Sequence, residues 1–376
     1  MADKVVIIGS SFGGLDTALR LRGLNKKIEI VVVDREPNFI YHASLHQLVS
    51  KKLIKHISLD LAKLYRKHRI KFYNEEVVQV KPLEKSVTTM ARKINFDYLV
   101  IAVGGVSNYF GIEGMEDNSF NIKSPYQSQK IKRHVLSELE KSKVYSEPIN
   151  IIVCGGGLTG VETAGELADV VKGRANVIIG EGNSRIIKTF SKEVSDYAEK
   201  ILNKKGVKIM TEARIKNSSE GRITLDNGTN IYSNTIIWCG GVKPNPLNHK
   251  TGLRTSDKGG IMVNEYLQSS HPHIYAVGDC SYLYKKPQPA TAQIAIHEAT
   301  FAAWNIHADI SKLDKKAFEK EDYPYLISIG KGKAVMIRKN KIKTGLIPSI
   351  IKNFIEWHYL FTRKHWHWPF NRIEFK

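Results

Sequence analysis

The sequence predicts an α/β fold with two doubly wound parallel sheets, one inserted into the other, and a different C-terminal segment. The order strand, glycine-rich turn, helix, strand occurs over residues 5–33 and again over residues 149–179. Further apolar runs end on glycine at residues 98–105, 235–241 and 274–278. Apolar runs of this length are typical of strands buried in a parallel sheet. Because the last run follows the second unit, the simplest topology inserts the second unit into the first.

The first unit carries a glycine-rich turn, GSSFGG over residues 9–14, between its first strand and its helix. Gly9 permits a tight turn, and Gly14 permits close packing of the helix on the strand. Ser11 stands where glycine usually lets a phosphate approach the backbone. Asp34, about twenty residues further on, ends the second strand and can accept both ribose hydroxyls of a dinucleotide. We therefore predict a dinucleotide site; a glycine turn without a ligand is the alternative.

The second unit has the fuller motif, GGGLTG over residues 155–160, with glycine at 155, 157 and 160. The turn would bring backbone N–H groups and a helix N-terminus to a pyrophosphate. Glu181 follows the next strand and favours NADH, because a carboxylate there would repel the extra phosphate of NADPH. Arg185 lies close behind, so NADPH is not excluded.

A third element, Gly278-Asp279, follows the last apolar run. An aspartate at the C-terminal end of a strand can accept hydrogen bonds from the ribityl chain of a flavin. Alone, this dipeptide usually marks a turn. After two dinucleotide units, the flavin interpretation is favoured.

The composition favours a negatively charged partner. The 376 residues include 57 Lys and Arg against 37 Asp and Glu, a net charge of +20. That excess favours anionic lipid, nucleic acid or a phosphorylated ligand, with a solvated basic surface as the alternative. Cys154, Cys239 and Cys280 lie far apart without CxxC spacing, so we expect no disulfide framework and no metal site. We expect no signal peptide, because an apolar strand begins at Lys4, and no membrane-spanning helix.

The C-terminal segment has a different pattern. Residues 331–343 are basic and predict a hairpin, and Pro348 can begin a helix. Apolar residues then recur at helical spacing: Ile350, Ile351, Phe354, Ile355, Trp357, Leu360 and Phe361. With the tryptophans in residues 365–370, this pattern favours a helix that lies in a lipid headgroup layer. The alternative is an amphipathic helix docked on the protein's own core.

Taken together, these residues resemble type II NADH dehydrogenases, the single-subunit NADH:quinone oxidoreductases of the pyridine nucleotide-disulfide oxidoreductase-like superfamily. The most specific segments are residues 108–112, NYFGI, and residues 291–293, TAQ. The segment from Gly345 to Leu360 is similar to the family's membrane-contacting tail.

The resemblance implies FAD and NADH as cofactors and assigns residues to each. Those implied for FAD are Gly9, Ser11, Phe12, Gly13, Gly14, Asp34, Arg35, Ala102, Gly104, Gly278 and Asp279. Those implied for NADH are Gly155, Gly157, Leu158, Thr159, Gly160, Glu181, Gly240 and Gly241.

Three residues are implied in catalysis. Glu162 matches a functional glutamate beside the nicotinamide and flavin rings; complementing the helix dipole is its alternative role. Gln293 lies in the family's quinone-pocket segment, where a second glutamine normally follows four residues later. Here that position is His297, on the same side of a helix, which could hydrogen-bond to a quinone or deliver a proton. A helix-surface histidine is the alternative.

We therefore expect an FAD domain over residues 1–111 and 246–330, an NAD(P)H domain over 112–245, and a membrane-associating segment over 331–376. The expected activity is FAD-dependent, non-proton-pumping NADH:quinone oxidoreduction by a homodimer on the cytoplasmic face of a membrane, without nucleic acid. A sulfide:quinone oxidoreductase and an NAD(P)H-dependent reductase of a small electron-carrier protein are the enzyme alternatives. A redox sensor that signals by conformation is the alternative of another class.

Overall fold

The computed structural model of the chain describes residues 2–50, 52–145, 149–233, 235–339 and 341–365. Within these residues it is an α/β fold with parallel sheets, which confirms the predicted fold class. None of the helices described is long and apolar enough to cross a membrane.

The helices and strands follow one another along the chain in three groups. The first group is β1 (Lys4–Ile8), α1 (Phe12–Leu24), β2 (Glu29–Asp34), β3 (Asn38–Ile40), β4 (Ser58–Asp60), α2 (Leu61–Lys67), β5 (Lys71–Asn74), β6 (Val77–Lys81), β7 (Ser86–Thr89), β8 (Lys93–Asn95), β9 (Tyr98–Ile101) and β10 (Gly105–Ser107). The second group is β11 (Phe120–Asn121), α3 (Pro125–Tyr145), β12 (Ile149–Cys154), α4 (Leu158–Val171), β13 (Ala175–Gly180), α5 (Lys192–Lys204), β14 (Val207–Met210), β15 (Ile215–Ser219), β16 (Arg222–Leu225), β17 (Asn230–Tyr232), β18 (Thr235–Trp238) and β19 (Val242–Pro244). The third group is β20 (Ile261–Val263), β21 (Ile274–Ala276), β22 (Ser281–Leu283), α6 (Ala292–Ser311), β23 (Tyr325–Ser328), β24 (Ala334–Arg338), β25 (Lys341–Gly345) and α7 (Leu346–Lys364). Short 3₁₀ helices cover His42–Val49, Ile54–His56, Pro246–Lys250 and Gly278–Cys280.

The first sheet has the strand order β21-β9-β1-β2-β5, and all its strand pairs are parallel. Its edge strand β21 lies after the second sheet in the chain. Val5, Val6 and Ile7 are fully buried in β1, because α1 and α6 cover the sheet and exclude water from its apolar face.

The second sheet has the order β11-β18-β12-β13-β14 and is also parallel throughout. Its core joins Val153 of β12, Leu167 of α4 and Ile179 of β13. An antiparallel pair, β10 with β19, links the two units where the chain crosses between them. In both sheets, the strand ends that precede α1 and α4 carry the glycine-rich turns.

The C-terminal region forms an antiparallel sheet, β23-β24-β25, followed by α7. The β24–β25 pair confirms the predicted hairpin. The helix begins at Leu346 and not at Pro348, because any residue of a first helical turn can lack a bonded N–H group. The predicted tryptophan cluster at Trp366 and Trp368 lies outside the described residues.

Candidate active site

The first glycine turn is packed too tightly for side chains at its glycines. Gly9 has φ +92°, and a Cβ atom there would lie 2.7 Å from the carbonyl carbon of Ala102. A Cβ atom at Gly14 would overlap the Gly9 carbonyl oxygen, and one at Gly13 would lie 2.9 Å from Val277 Cγ2. The N-terminus of α1 therefore sits directly against the ends of β1, β9 and β21, where a phosphate could meet its N–H groups.

Side-chain hydrogen bonds surround this first turn. Asp34 Oδ2 accepts from the Ser10 N–H at 2.5 Å, and the hydroxyls of Ser10 and Tyr65 lie 2.5 Å apart. Ser11 occupies the N-cap of α1 without capping it, and its Oγ lies 3.3 Å from His42 Nδ1. Burial raises the pKa of Asp34, although the hydrogen bonds that it accepts from backbone N–H groups oppose the shift.

Asp279 lies beside Gly105, and Val277, two residues earlier in the chain, lies against Gly13 of the first turn. Burial raises the pKa of the Asp279 carboxyl, and Lys123 is the cation that opposes this shift. Gly278 and Gly104 have φ +75° and +67°, and both lie at strand ends of the first sheet. Arg35 lies apart from this cradle, in exposed ion pairs with Glu36 and Glu76. Its predicted role at FAD stays a prediction.

The second glycine turn repeats the geometry but has more open space. Gly155 has φ +107°, and a Cβ atom at Gly160 would overlap the Gly155 carbonyl oxygen. Apart from its neighbours in the chain, no atom of the described residues lies within 4 Å of a Cβ atom built at Gly157. Glu181 Oε2 accepts from the Gly156 N–H at 2.6 Å, while Oε1 accepts from the Asn183 N–H at 2.7 Å.

A cavity of about 600 Å³ opens beside this turn. Its lining includes four predicted residues, Gly155, Gly157, Glu181 and Gly240. Gly241 lies against the ring of Phe110, and Leu158 and Thr159 begin α4. Arg185 is turned away from this space, since its guanidinium donates to Ser195 Oγ and to the Phe190 carbonyl oxygen. The arginine therefore stabilises its own loop.

Glu162 lies one turn into α4, at the centre of a buried cluster of charged groups. It pairs with Lys352 of α7, accepts from the Ser328 N–H at 3.1 Å, and lies 3.5 Å from His46 Nδ1. Burial alone would raise the pKa of Glu162, but His46, Lys352 and Ser328 together hold it below its ordinary value. Burial lowers the pKa of His46 to about 4, so the imidazole is neutral at physiological pH.

Sequence reasoning missed His46 and Lys352. Lys352 is visible in the sequence as one cation among several between the apolar positions of α7. His46 belongs to the 3₁₀ helix His42–Val49, for which the sequence carries no motif. Its Nε2 atom is buried and has no hydrogen-bond partner among the described residues.

Gln293 and His297 lie on the same side of α6, and both contact the segment that precedes β23. Gln293 Nε2 donates to the Pro324 carbonyl oxygen at 3.0 Å, and His297 Nε2 lies 2.6 Å from the Glu319 carbonyl oxygen. Because a carbonyl can only accept, Nε2 carries a proton, and Nδ1 lies 3.0 Å from the Tyr323 hydroxyl oxygen. The predicted contact of His297 with a quinone would therefore require one of these bonds to open.

The glycine cradles, the uncapped N-termini of α1 and α4, and the carboxylates that end β2 and follow β13 fit two dinucleotides. The fold and site thus define a flavoprotein oxidoreductase with a separate nicotinamide unit. The chain belongs to the pyridine nucleotide-disulphide oxidoreductase family, whose model matches residues 3–299. It is accordingly an FAD-dependent oxidoreductase that uses a pyridine nucleotide.

Two kinds of relative are similar over nearly the whole chain. The type II NADH:quinone oxidoreductase of Staphylococcus aureus (strain MSSA476) is 26% identical over 379 residues, covering 94% of each chain. The structure of NDH2 from Plasmodium falciparum in complex with NADH has a TM-score of 0.83 at 18% identity and covers 100% of both chains. The sulfide:quinone oxidoreductase of Aquifex aeolicus has a TM-score of 0.83 at 22% identity, covering 97% of this chain and 92% of that one.

Proposed function

We propose that the chain is an NADH:quinone oxidoreductase that passes hydride from NADH to FAD and two electrons on to a membrane quinone, without pumping protons. One observation carries the proposal: the buried ion pair between Glu162 of α4 and Lys352 of α7. The glutamate lies on the helix that follows the nicotinamide turn, while the lysine lies on α7, which exposes several large apolar side chains. The pair therefore joins the predicted donor site to the predicted acceptor surface.

The donor half is supported by the second glycine turn. Gly157 leaves room for a pyrophosphate, and Glu181 is held by two backbone N–H groups with its carboxylate at the cavity. A carboxylate there accepts from the two ribose hydroxyls of NADH and repels a 2′-phosphate. Since Arg185 bonds within its own loop, it does not offset this repulsion. The site therefore favours NADH over NADPH.

The acceptor half is supported by the orientation of α7. Its outward face is apolar: Leu346, Ile347, Ile350, Phe354, Trp357 and Phe361 are all exposed, several by more than half. Its inward face is polar, because Lys352 pairs with Glu162, Glu356 pairs with Lys52, and Tyr359 and Arg363 both bond to Asp16. A helix with this orientation presents its apolar side to whatever lies outside the protein.

Lipid is the occupant that we propose for this outer face. Lys341, Lys343 and Lys364 are exposed around the helix, and the chain carries a net charge of +20. Basic residues beside an apolar face favour an anionic membrane surface. The proposed location is the cytoplasmic face of a membrane, as a peripheral protein. A second copy of the chain could instead cover α7, and light scattering with and without anionic vesicles separates the two occupants.

The flavin supplies the redox chemistry when it is bound. The residues of the chain align the partners and set the charge of the buried site. The Gly155 turn and Glu181 orient the nucleotide. Lys352 stabilises the ionised form of Glu162, while burial keeps the His46 imidazole neutral, so neither Glu162 nor His46 carries an extra proton at physiological pH.

Sulfide oxidation is an alternative on a similar fold, and it requires a redox-active cysteine pair near the flavin. Cys154, Cys239 and Cys280 are all free thiols. Burial raises the pKa of Cys239 and of Cys280 to about 12 and raises that of Cys154 as well, so their thiolates are scarce. The raised pKa values therefore favour a structural role for the three cysteines over a redox role.

Anaerobic stopped-flow spectroscopy tests the proposal. Mixing the holoenzyme with NADH should bleach the flavin band, and a soluble quinone analogue should then restore it. In Lys352→Gln we expect bleaching at the wild-type rate and recovery slowed about tenfold, since a loss of about 1.4 kcal/mol in barrier stabilisation has this effect. Lys364→Gln, which removes the same charge from an exposed position of α7, is the matched control.

Two outcomes would contradict the proposal. Bleaching by sulfide and not by NADH would establish the alternative chemistry. Bleaching by NADH without recovery on quinone would keep the donor half and indicate a protein acceptor.

A further inference from the structure

A third glycine turn, Gly278–Cys280, is held by a buried carboxyl group that comes from a helix. The Gly278 N–H donates to Glu298 Oε2 at 2.6 Å, and Ser281 Oγ lies 3.4 Å from the same oxygen. Glu298 is only 2% exposed. Gly278 has φ +75°, a conformation that glycine adopts readily and other residues rarely do, so the turn requires glycine at this position.

A hydrogen bond from a backbone N–H group to a side-chain carboxyl group also occurs at the other two glycine turns. Asp34 accepts from the Ser10 N–H at 2.5 Å, and Glu181 accepts from the Gly156 N–H at 2.6 Å. A buried N–H group requires an acceptor, and a carboxyl group has a carbonyl oxygen that can accept whether the group is ionised or neutral. Asp34 and Glu181 belong to the strand ends of the dinucleotide motifs. Glu298 belongs to α6 and has no such motif, yet it makes the equivalent bond.

Glu298 also faces the carboxyl group of Asp279. Burial raises the pKa of Glu298 to about 8, and the charge of Asp279 adds to the shift, while bonds from Gly278 and Ser281 oppose it. The charge of Glu298 also adds to the raised pKa of the Cys280 thiol, and Lys123 is the cation that opposes the raised pKa of Asp279. Two carboxyl groups thus share one turn, and one of them changes its charge near neutral pH.

We infer that Glu298 is a positioning residue for the flavin side of the site: it holds the turn that presents Asp279, and its charge acts on the flavin through that turn. The proposal rests on FAD binding and does not depend on which electron acceptor the enzyme uses. Glu298 is not assigned to the reacting atoms, because both of its bonds are to the turn.

Two variants of the holoenzyme test this role. In Glu298→Gln the amide oxygen still accepts the Gly278 N–H, so FAD should be released at the wild-type rate. In Glu298→Leu this N–H is left buried without an acceptor, and FAD release should be about tenfold faster or more. Release is followed by the rise of free flavin fluorescence on dilution, so neither NADH nor quinone enters the measurement.

The flavin midpoint potential, measured across the range from about pH 6 to about pH 9, separates positioning from a merely structural role. Below pH 8 wild type and Glu298→Gln should agree, because both are neutral at position 298. Above pH 8 the wild-type potential should fall below that of the variant, because an anionic Glu298 disfavours the added electron. Asp309→Asn is the control: it removes a carboxylate at the far end of α6, where Tyr275 and Lys315 are its partners.

The proposal is overturned if the potentials of wild type and Glu298→Gln run parallel at every pH, or if Glu298→Leu retains FAD as the wild type does. If Glu298→Leu does not fold, the potentials of Glu298→Gln still decide. A wild-type protein that recovers no colour on quinone would contradict the proposed acceptor and leave both of these measurements unaffected.

Discussion

The two dinucleotide turns share the same carboxylate-to-backbone hydrogen bond, but their surroundings differ. In each, a carboxylate accepts the N–H group that follows the first glycine, at 2.5 Å for Asp34 and 2.6 Å for Glu181. Around the first turn the serine hydroxyls bond to Tyr65 and His42. Around the second turn Gly157 has open space and a cavity of about 600 Å³.

The difference corresponds to two ways of holding a dinucleotide. A turn surrounded by hydrogen-bonded side chains suits a cofactor that stays bound through many reactions. An open turn with bare backbone suits a nucleotide that must arrive and leave in each one. The 3₁₀ helix His42–Val49 serves both, because His42 contacts the first turn and His46 contacts Glu162 behind the second. Substitutions at one turn should therefore leave the other turn unchanged, except where this shared helix is altered.

The largest effect is expected from alanine at the packing glycines. Gly14→Ala would place Cβ on the Gly9 carbonyl oxygen, and Gly160→Ala would place it on the Gly155 carbonyl oxygen. We expect Gly14→Ala to purify largely without flavin, and Gly160→Ala to stay yellow while NADH bleaches it on the order of 100-fold more slowly. Absorbance per protein and stopped-flow rates measure both. Loss of flavin from both variants would show that the two turns are not separable.

A pH effect should follow from His46, which lies beside Glu162 behind the second turn. Burial lowers the pKa of His46 from 6.5 to about 4. Between these values the unfolded chain binds a proton that the folded chain excludes, so stability falls as the pH drops from about 6.5 to 4. This histidine can account for on the order of 3 kcal/mol.

Urea unfolding of the holoenzyme at several pH values measures this effect. His46→Gln should lose less stability on acidification than the wild type. Other groups titrate in the same range, so the comparison between wild type and variant isolates this histidine. Equal pH slopes for the wild type and the variant would contradict the prediction.

Glu181→Gln should weaken the second turn alone. The amide cannot replace a charged acceptor of the ribose hydroxyls, so we expect the KM for NADH to rise about tenfold with unchanged flavin content. Steady-state kinetics and the flavin spectrum check this. A lower flavin content with an unchanged KM for NADH would show that Glu181 supports FAD binding and not NADH binding.

Ser11→Gly should have the smallest effect, because it makes the first turn resemble the second. Losing the hydroxyl that bonds to His42 should speed FAD release by roughly threefold to tenfold. Ser11→Ala separates the hydroxyl from the backbone freedom of glycine and should behave similarly. Slower FAD release from Ser11→Gly would contradict this prediction, because it would show that the Ser11 hydroxyl does not stabilise bound FAD.

Most of the fold follows from local patterns. Continuous apolar runs predict the parallel strands, and each glycine turn appears between a strand and a helix as expected. These features are local, because a strand needs only its own apolar residues and a turn needs only its own glycines. The start of α7 differs by two residues, because a proline fits several positions of a first helical turn.

The sequence by itself determined the fold class, the family and the two glycine turns with Asp34 and Glu181, since these lie at fixed spacings within one βαβ unit. Only the tertiary structure brought His46 and Lys352 to Glu162, and Glu298 to Gly278, because no local pattern links residues so far apart in the chain. It also decided which face of α7 points outward. Helical spacing defines two faces, but partners such as Glu162 and Asp16 bind the polar one and leave the apolar one exposed.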